Sequence, residues 1–93
     1  MEFKYEPNRI FLNDEEGKLV AEVTFPDVSE GVVNINHTFV DISLRGKGIA
    51  GKLMEEVVKK LREEGKKAYP TCSFAVSWFE KNEQFKDLYA DKK

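Results

Sequence analysis

Arg45-Gly46-Lys47-Gly48-Ile49-Ala50-Gly51-Lys52-Leu53 stands between a run rich in β-branched residues and a run of helical periodicity. Its reading decides the fold. Gly46 to Gly51 matches the dinucleotide pattern G-x-G-x-x-G, and Gly46 to Leu53 nearly matches the nucleotide-loop pattern G-x-x-x-x-G-K-[ST]. Such loops share one physical idea. Glycines let the backbone come close to a phosphate, and the free N–H groups and dipole of a helix start bind it. The nucleotide-loop reading needs a hydroxyl after its lysine to hold Mg²⁺, and Leu53 follows Lys52. The dinucleotide reading needs an acidic residue about 20 positions on to bind ribose. Lys66 to Cys72 contains no Asp or Glu, and the chain beyond is too short for a doubly wound sheet. Both readings fail on chemistry, while the phosphate reading survives.

Outward from this segment, the preceding residues read as strands. Phe3 and Tyr5 alternate with Lys4 and Glu6, and Ile10-Phe11-Leu12 form a second short apolar run. Asn13 to Gly17 suits a hairpin connection. Leu19, Ala21, Val23 and Phe25 alternate with Val20, Glu22 and Thr24 at period two. Pro26 to Gly31 is the next turn, and Val32 to Ile42 is the longest strand, giving an antiparallel meander. After it, Ile49, Leu53, Met54, Val57, Val58 and Leu61 recur at helical spacing as one apolar stripe. Glu55–Lys59 and Glu56–Lys60 suit i,i+4 pairs, and Gly65 stands where a helix ends. Lys67 to Thr71 reads as a strand whose Pro70 places it at an edge, an interruption or a divergence. Ser73 to Lys81 predicts a second helix, and Phe85, Leu88 and Tyr89 a final turn or two. The expected class is therefore α/β (α+β): a mixed, mainly antiparallel sheet with a long helix after the fourth strand and a second, C-terminal helix.

Composition bounds the function. The 93 residues are read as a single domain, 1–93. A chain of this size buries roughly 60–65% of its unfolded surface, enough for one core. Hydrophobic residues at 41% and charged residues at 34% are ordinary for a globular protein. The net charge of −2, with no basic stripe, argues against nucleic acid. Cys72 is the sole cysteine and His37 the sole histidine, so neither a disulfide nor a typical structural zinc site is expected. The first residues lack a long apolar run, so no signal peptide or membrane partner is expected and the compartment is read as cytoplasmic.

Arg45-Gly46-Lys47-Gly48-Ile49-Ala50 has the form [Q/R]-x-x-G-x-[G/A], which resembles the pyrophosphate motif of GNAT N-acetyltransferases. In that family the motif lies between the fourth strand and the following helix. The resemblance covers roughly residues 30 to 85, and the compact chain looks like a minimal subgroup of predicted acetyltransferases without the helices that larger members insert between their first two strands. It implies acetyl-CoA as cofactor, with the pyrophosphate on Arg45, Gly46, Lys47, Gly48, Ile49 and Ala50. It implies also that Phe39, Val40 and Asp41 offer backbone groups to the pantetheine arm, in a gap where the fourth and fifth strands splay apart. The implied reaction is acetyl transfer to a small-molecule or peptide amine. Two rivals remain: a non-catalytic acyl-CoA sensor or interaction module, and a partner-binding domain whose glycines are only structural.

The family often reads N-x-x-A-x-x-x-Y-E-K after its fifth strand. Cys72 to Lys81 can be laid on that pattern, with Ala75, Glu80 and Lys81 in agreement. Cys72 takes the asparagine position, and Phe79 the position of a tyrosine that commonly protonates the departing thiolate. Phenylalanine cannot do so. Cys72, between a strand and a helix start, is then either a proton donor, substrate positioner or acyl acceptor, or a buried structural cysteine. In alternation His37 shares a face with Val33, Ile35 and Phe39, and is either a base near neutral pH or a packed histidine. Asp41, nearer the motif, is a second candidate base. No strong base stands out, which favours an amine of low pKa as acceptor.

Overall fold

In the computed structural model, which describes residues 2–90, short strands β1 (Lys4–Glu6), β2 (Arg9–Asn13) and β3 (Leu19–Thr24) form the antiparallel start of a sheet. Alternation does the work expected of it in β2, where Ile10 and Leu12 are buried and their neighbours are not. In β3 the alternation slips. Leu12 faces Ala21 and Asn13 faces Leu19, so Val20 is an extra residue and is buried next to Ala21. The turn after Pro26 contains a short edge strand, β4 (Asp27–Ser29).

The long strand expected over Val32 to Ile42 is two strands. β5 (Val32–Ile35) pairs antiparallel with β4 and parallel with β7 (Lys67–Pro70). β6 (His37–Val40) pairs antiparallel with β3. The sheets are thus β1-β2-β3-β6 and β4-β5-β7, joined through Asn36. That break corrects the expected alternation: Val33 and Ile35 are buried, whereas His37 and Phe39 are exposed and Thr38 and Val40 point inward. His37 therefore does not share a face with Val33 and Ile35. Thr24 Oγ1 and the Asn36 side-chain oxygen lie 2.6 Å apart, and Asn36 N–H donates to the Thr24 carbonyl at 3.3 Å, fixing the reversal.

Helix α1 (Ile49–Glu64) forms because its apolar residues recur at period 3.6. Leu53, Met54, Val57, Val58 and Leu61 are buried against the sheet, each contributing about 1.5–3 kcal/mol by burial. Gly65 ends it in the left-handed conformation. The expected Glu56–Lys60 pair is replaced: Lys60 Nζ lies 2.9 Å from Glu64, while Glu56 accepts a 2.6 Å hydrogen bond from the Tyr5 hydroxyl. That carboxylate holds the Tyr5 phenol in its neutral form, its pKa pushed up to about 12.

Helix α2 (Ser73–Lys81) follows β7, and a 3₁₀ segment, Glu83–Leu88, follows α2. Pro70 closes β7 as its last residue, where a missing N–H costs no further ladder bond. The chain then returns to β7, with Ala90 N–H donating to the Ala68 carbonyl at 2.7 Å. Trp78 stacks on Phe85 at 5.2 Å, and Phe79 meets Trp78 and Tyr89 edge-on. These contacts pin α2 to the C-terminal segment. Among the described residues, no helix is long and apolar enough to cross a membrane.

Candidate active site

The two sheets separate at one carbonyl. Ile35 C=O accepts the N–H of Thr71 and of Cys72, each at 3.1 Å. Up to that point β5 and β7 are paired, Ile35 opposite Pro70; beyond it β6 turns away with β3. Asn34 braces the fork, its side-chain N–H₂ donating to the Tyr69 carbonyl at 2.8 Å and to Thr71 Oγ1 at 3.0 Å. The parting strands open a groove of about 860 Å³.

One wall is β6 and the loop after it. Thr38 and Val40 line it from the inward face of the strand. Asp41 then caps a 3₁₀ turn, Ile42–Leu44, by accepting hydrogen bonds from Ser43 N–H at 3.0 Å and the Ser43 hydroxyl at 2.6 Å. The Ser43 hydroxyl, then its N–H, hold the Asp41 carboxyl below the usual carboxylate range. Asp41 is thus a stably ionised cap, and its own N–H is spent on the Val20 carbonyl at 2.8 Å. From there Arg45, Gly46, Gly48, Ile49, Ala50 and Gly51 continue along the groove. Gly48 begins α1 with φ +72°, and no side chain caps the helix. The first N–H groups of an α-helix have no partner within it. Here they belong to residues that line the groove, so the α1 start presents donors and a positive dipole end to it.

The other wall is α2, contributing Ser73, Phe74, Ser77, Trp78 and Lys81. Cys72, the residue before α2, is half-buried, and its Sγ lies 3.5 Å from Thr38 Oγ1 across the fork. Burial alone would push this thiol up. Hydrogen bonds from the Thr38 hydroxyl and from the N–H groups of Ala75 and Phe74 outweigh it and hold Cys72 below its ordinary value.

The structure brings Val40, Arg45, Gly46, Gly48, Ile49 and Ala50 together around this groove, with Cys72 beside it. It does not bring all the expected residues there. Lys47, Phe39, Asp41 and His37 are not among the lining residues. His37 sits on the outer sheet face opposite Thr24, its Nε2 3.4 Å from Glu22. Glu22 also holds Arg9. Phe79 is 5% exposed within the aromatic cluster. Thr38, Ser73, Ser77 and Lys81 were not singled out from the sequence as groove residues. Only the i,i+4 spacing of Ser73, Ser77 and Lys81 was there to suggest a shared face.

The pattern of GCN5-related N-acetyltransferases matches residues 9–88, taking in both walls of the groove. The chain belongs to that family. A Staphylococcus aureus protein assigned as a GCN5-like N-acetyltransferase, solved in solution, shares 35% identity with a TM-score of 0.82, over 99% of this chain and 90% of that one. A Bacillus cereus acetyltransferase shares 26% identity with a TM-score of 0.64, over 81% of this chain and 54% of its own. A Mycobacterium tuberculosis protein in complex with CoA has a TM-score of 0.65 at 15% identity, over 82% of this chain and 47% of its own, a likeness of fold alone. This chain spans about half the length of the last two. No curated protein matches it. The mixed, mainly antiparallel fold expected from the motif is the fold these relatives share.

Proposed function

We propose that the chain binds acetyl-CoA in the groove and transfers the acetyl group directly to an amine. The observation that carries this is the fork at Ile35, which opens onto the uncapped glycine-rich start of α1. A pyrophosphate needs close backbone approach, unpartnered N–H groups and positive charge. Gly46 and Gly48 supply the approach, the first turn of α1 the donors, and Arg45 the charge. Among the described residues, the charged ones lining the groove are Arg45 and Lys81, with no carboxylate to repel an anion. A fold neighbour carries CoA, which supports the same ligand here.

Acetyl-CoA supplies an activated thioester; the remaining work is proton handling. The amine forms a C–N bond to the acetyl carbon, and the C–S bond breaks. Phe79 has no proton to give the departing sulfur, while Cys72 stands at the fork with one. Its thiol is more acidic than an ordinary thiol, so donation to a thiolate of ordinary basicity runs downhill. The Cys72 thiolate then takes the proton the amine sheds, and Thr38 holds Sγ in place through both steps. Asp41, held ionised by Ser43, is a weak base, and His37 lies on the outer face. The acceptor must therefore arrive neutral by itself. At pH 7 this costs a lysine-like amine of pKa about 10.4 roughly 4.6 kcal/mol, and an α-amine near 7.8 about 1 kcal/mol. The favoured acceptor is an amine of low pKa.

Calorimetry with acetyl-CoA tests the ligand, and steady thiol release across an amine panel tests the reaction. Absence of acetyl-CoA binding by the folded protein ends the proposal. Intact mass after mixing with acetyl-CoA and no amine tests directness: an acetyl adduct on Cys72 that passes to amine at the turnover rate would replace direct transfer with a Cys72 acyl-enzyme.

A further inference from the structure

Along α2, Ser73, Ser77 and Lys81 stand four residues apart and all line the groove. Residues at this spacing lie one above another on a helix. They make a polar stripe that starts beside Cys72 and ends, about 12 Å along the axis at 1.5 Å per residue, at Lys81. Phe74 and Trp78 form the parallel apolar stripe. The two cations of the groove thus belong to different walls, Arg45 on the loop before α1 and Lys81 at the far end of α2. The cradle built from Arg45 and the α1 start accounts for one pyrophosphate. Lys81 is left over, and an ammonium at the rim of an anion groove favours a second, separate phosphate.

We infer that Lys81 is a specificity-determining residue that recognises the ribose 3′-phosphate of CoA, so that the site selects CoA thioesters over dephospho-CoA thioesters. This rests on the acetyl-CoA reading above and adds to it the group that reads the third phosphate. Lys81 is also the last residue of α2, where a cation favours the helix dipole. That structural role would lower stability a little on removal, and would be blind to which ligand is offered.

The test compares acetyl-CoA with 3′-dephospho-acetyl-CoA by calorimetry at low ionic strength, on the wild type, Lys81→Met, Lys81→Arg and Lys47→Met. Methionine keeps an apolar stem without the charge. Wild type is expected to bind acetyl-CoA about tenfold more tightly than the dephospho compound, a factor typical of one partly exposed charge-assisted contact. Lys81→Met should bind both compounds with the wild-type affinity for the dephospho form. Lys81→Arg should keep the preference, and so should Lys47→Met, because Lys47 does not line the groove. Equal losses for the two ligands in Lys81→Met would place Lys81 on the pyrophosphate and overturn the inference. So would a wild type that binds both compounds equally, with the acetyl-CoA reading intact. If neither compound binds the wild type, that reading falls and this inference with it.

Discussion

Gly48 and Gly17 make a matched pair from which the cost of ligand binding can be separated from the cost of folding. Both hold left-handed backbone, with φ +72° and +85°, and a Cβ built on either meets no atom within 4 Å. An L-residue in that region is strained by about 1–2 kcal/mol. Gly48→Ala and Gly17→Ala should therefore destabilise the protein alike, by roughly 1–2 kcal/mol, or about 4–8 °C in Tm for each kcal/mol in a domain of this size. Binding divides them. Gly17 closes the turn between β2 and β3, far in sequence from the groove, whereas Gly48 is the N-cap of the helix start that lines the groove. With no described protein atom within 4 Å of its Cβ, an added methyl at Gly48 would meet the proposed ligand rather than the protein. It also biases the N-cap away from the geometry that aims the first N–H groups of α1. Losing one charge-assisted backbone contact costs about 1.5–3 kcal/mol, or roughly 10- to 150-fold in affinity. Calorimetry with acetyl-CoA, beside thermal melts of both variants, measures the two quantities separately. Matched melts with matched, wild-type affinities would refute the assignment of the phosphate to this helix start.

Thr38→Val removes the hydroxyl that helps hold the Cys72 thiol down, so the midpoint of iodoacetamide alkylation against pH should move upward. Because the proposed acid works only while protonated, the falling limb of the pH–rate profile should move up with it; a limb that stays put detaches Cys72 from catalysis. Phe79→Tyr, which restores the commoner family residue, should not raise turnover. Its hydroxyl would enter a 5% exposed aromatic cluster and destabilise the fold by about 1–3 kcal/mol, and a gain in rate would show that position 79 can reach the sulfur. Acetyl transfer should survive EDTA, because no group of metal-ligating side chains occurs among the described residues; loss of activity restored by a divalent ion would contradict the mechanism.

What could be read from the chain was local. The stripe Leu53–Met54–Val57–Val58–Leu61 needs only the period of a helix, and Gly48 needs only the rule that positive φ favours glycine. What could not be read is set by pairing between distant segments. Nothing in Asn36 as a residue type announces a reversal of faces. The reversal arises because Val32–Ile35 follows β7, some 35 residues on, while His37–Val40 follows β3 on the other side. A period-two reading carried through Asn36 puts every later side chain on the wrong face, as a register slip of one residue must. Carried past Asn36, that reading puts His37 on the face of Val33 and Ile35, where the structure has it exposed, and hides that Thr38 points inward.

The same step explains why the fork and the site coincide. A strand obliged to serve two partners must leave one of them, and the carbonyl at which it does so, Ile35, is shared by the N–H groups of Thr71 and Cys72. Cys72 is thereby anchored through its backbone at the fork. The side chain that first points inward beyond the reversal on the opposite strand is Thr38, so the Cys72–Thr38 contact is a product of that reversal. Thr38→Val takes that hydroxyl away while the break at Asn36 stays in place. The thiol would then lose the hydroxyl that offsets its burial, and its pKa would rise. The break in the ladder, which leaves β6 and the segment after β7 unpaired with each other, is in this reading what creates both the groove and the acidity of the thiol beside it.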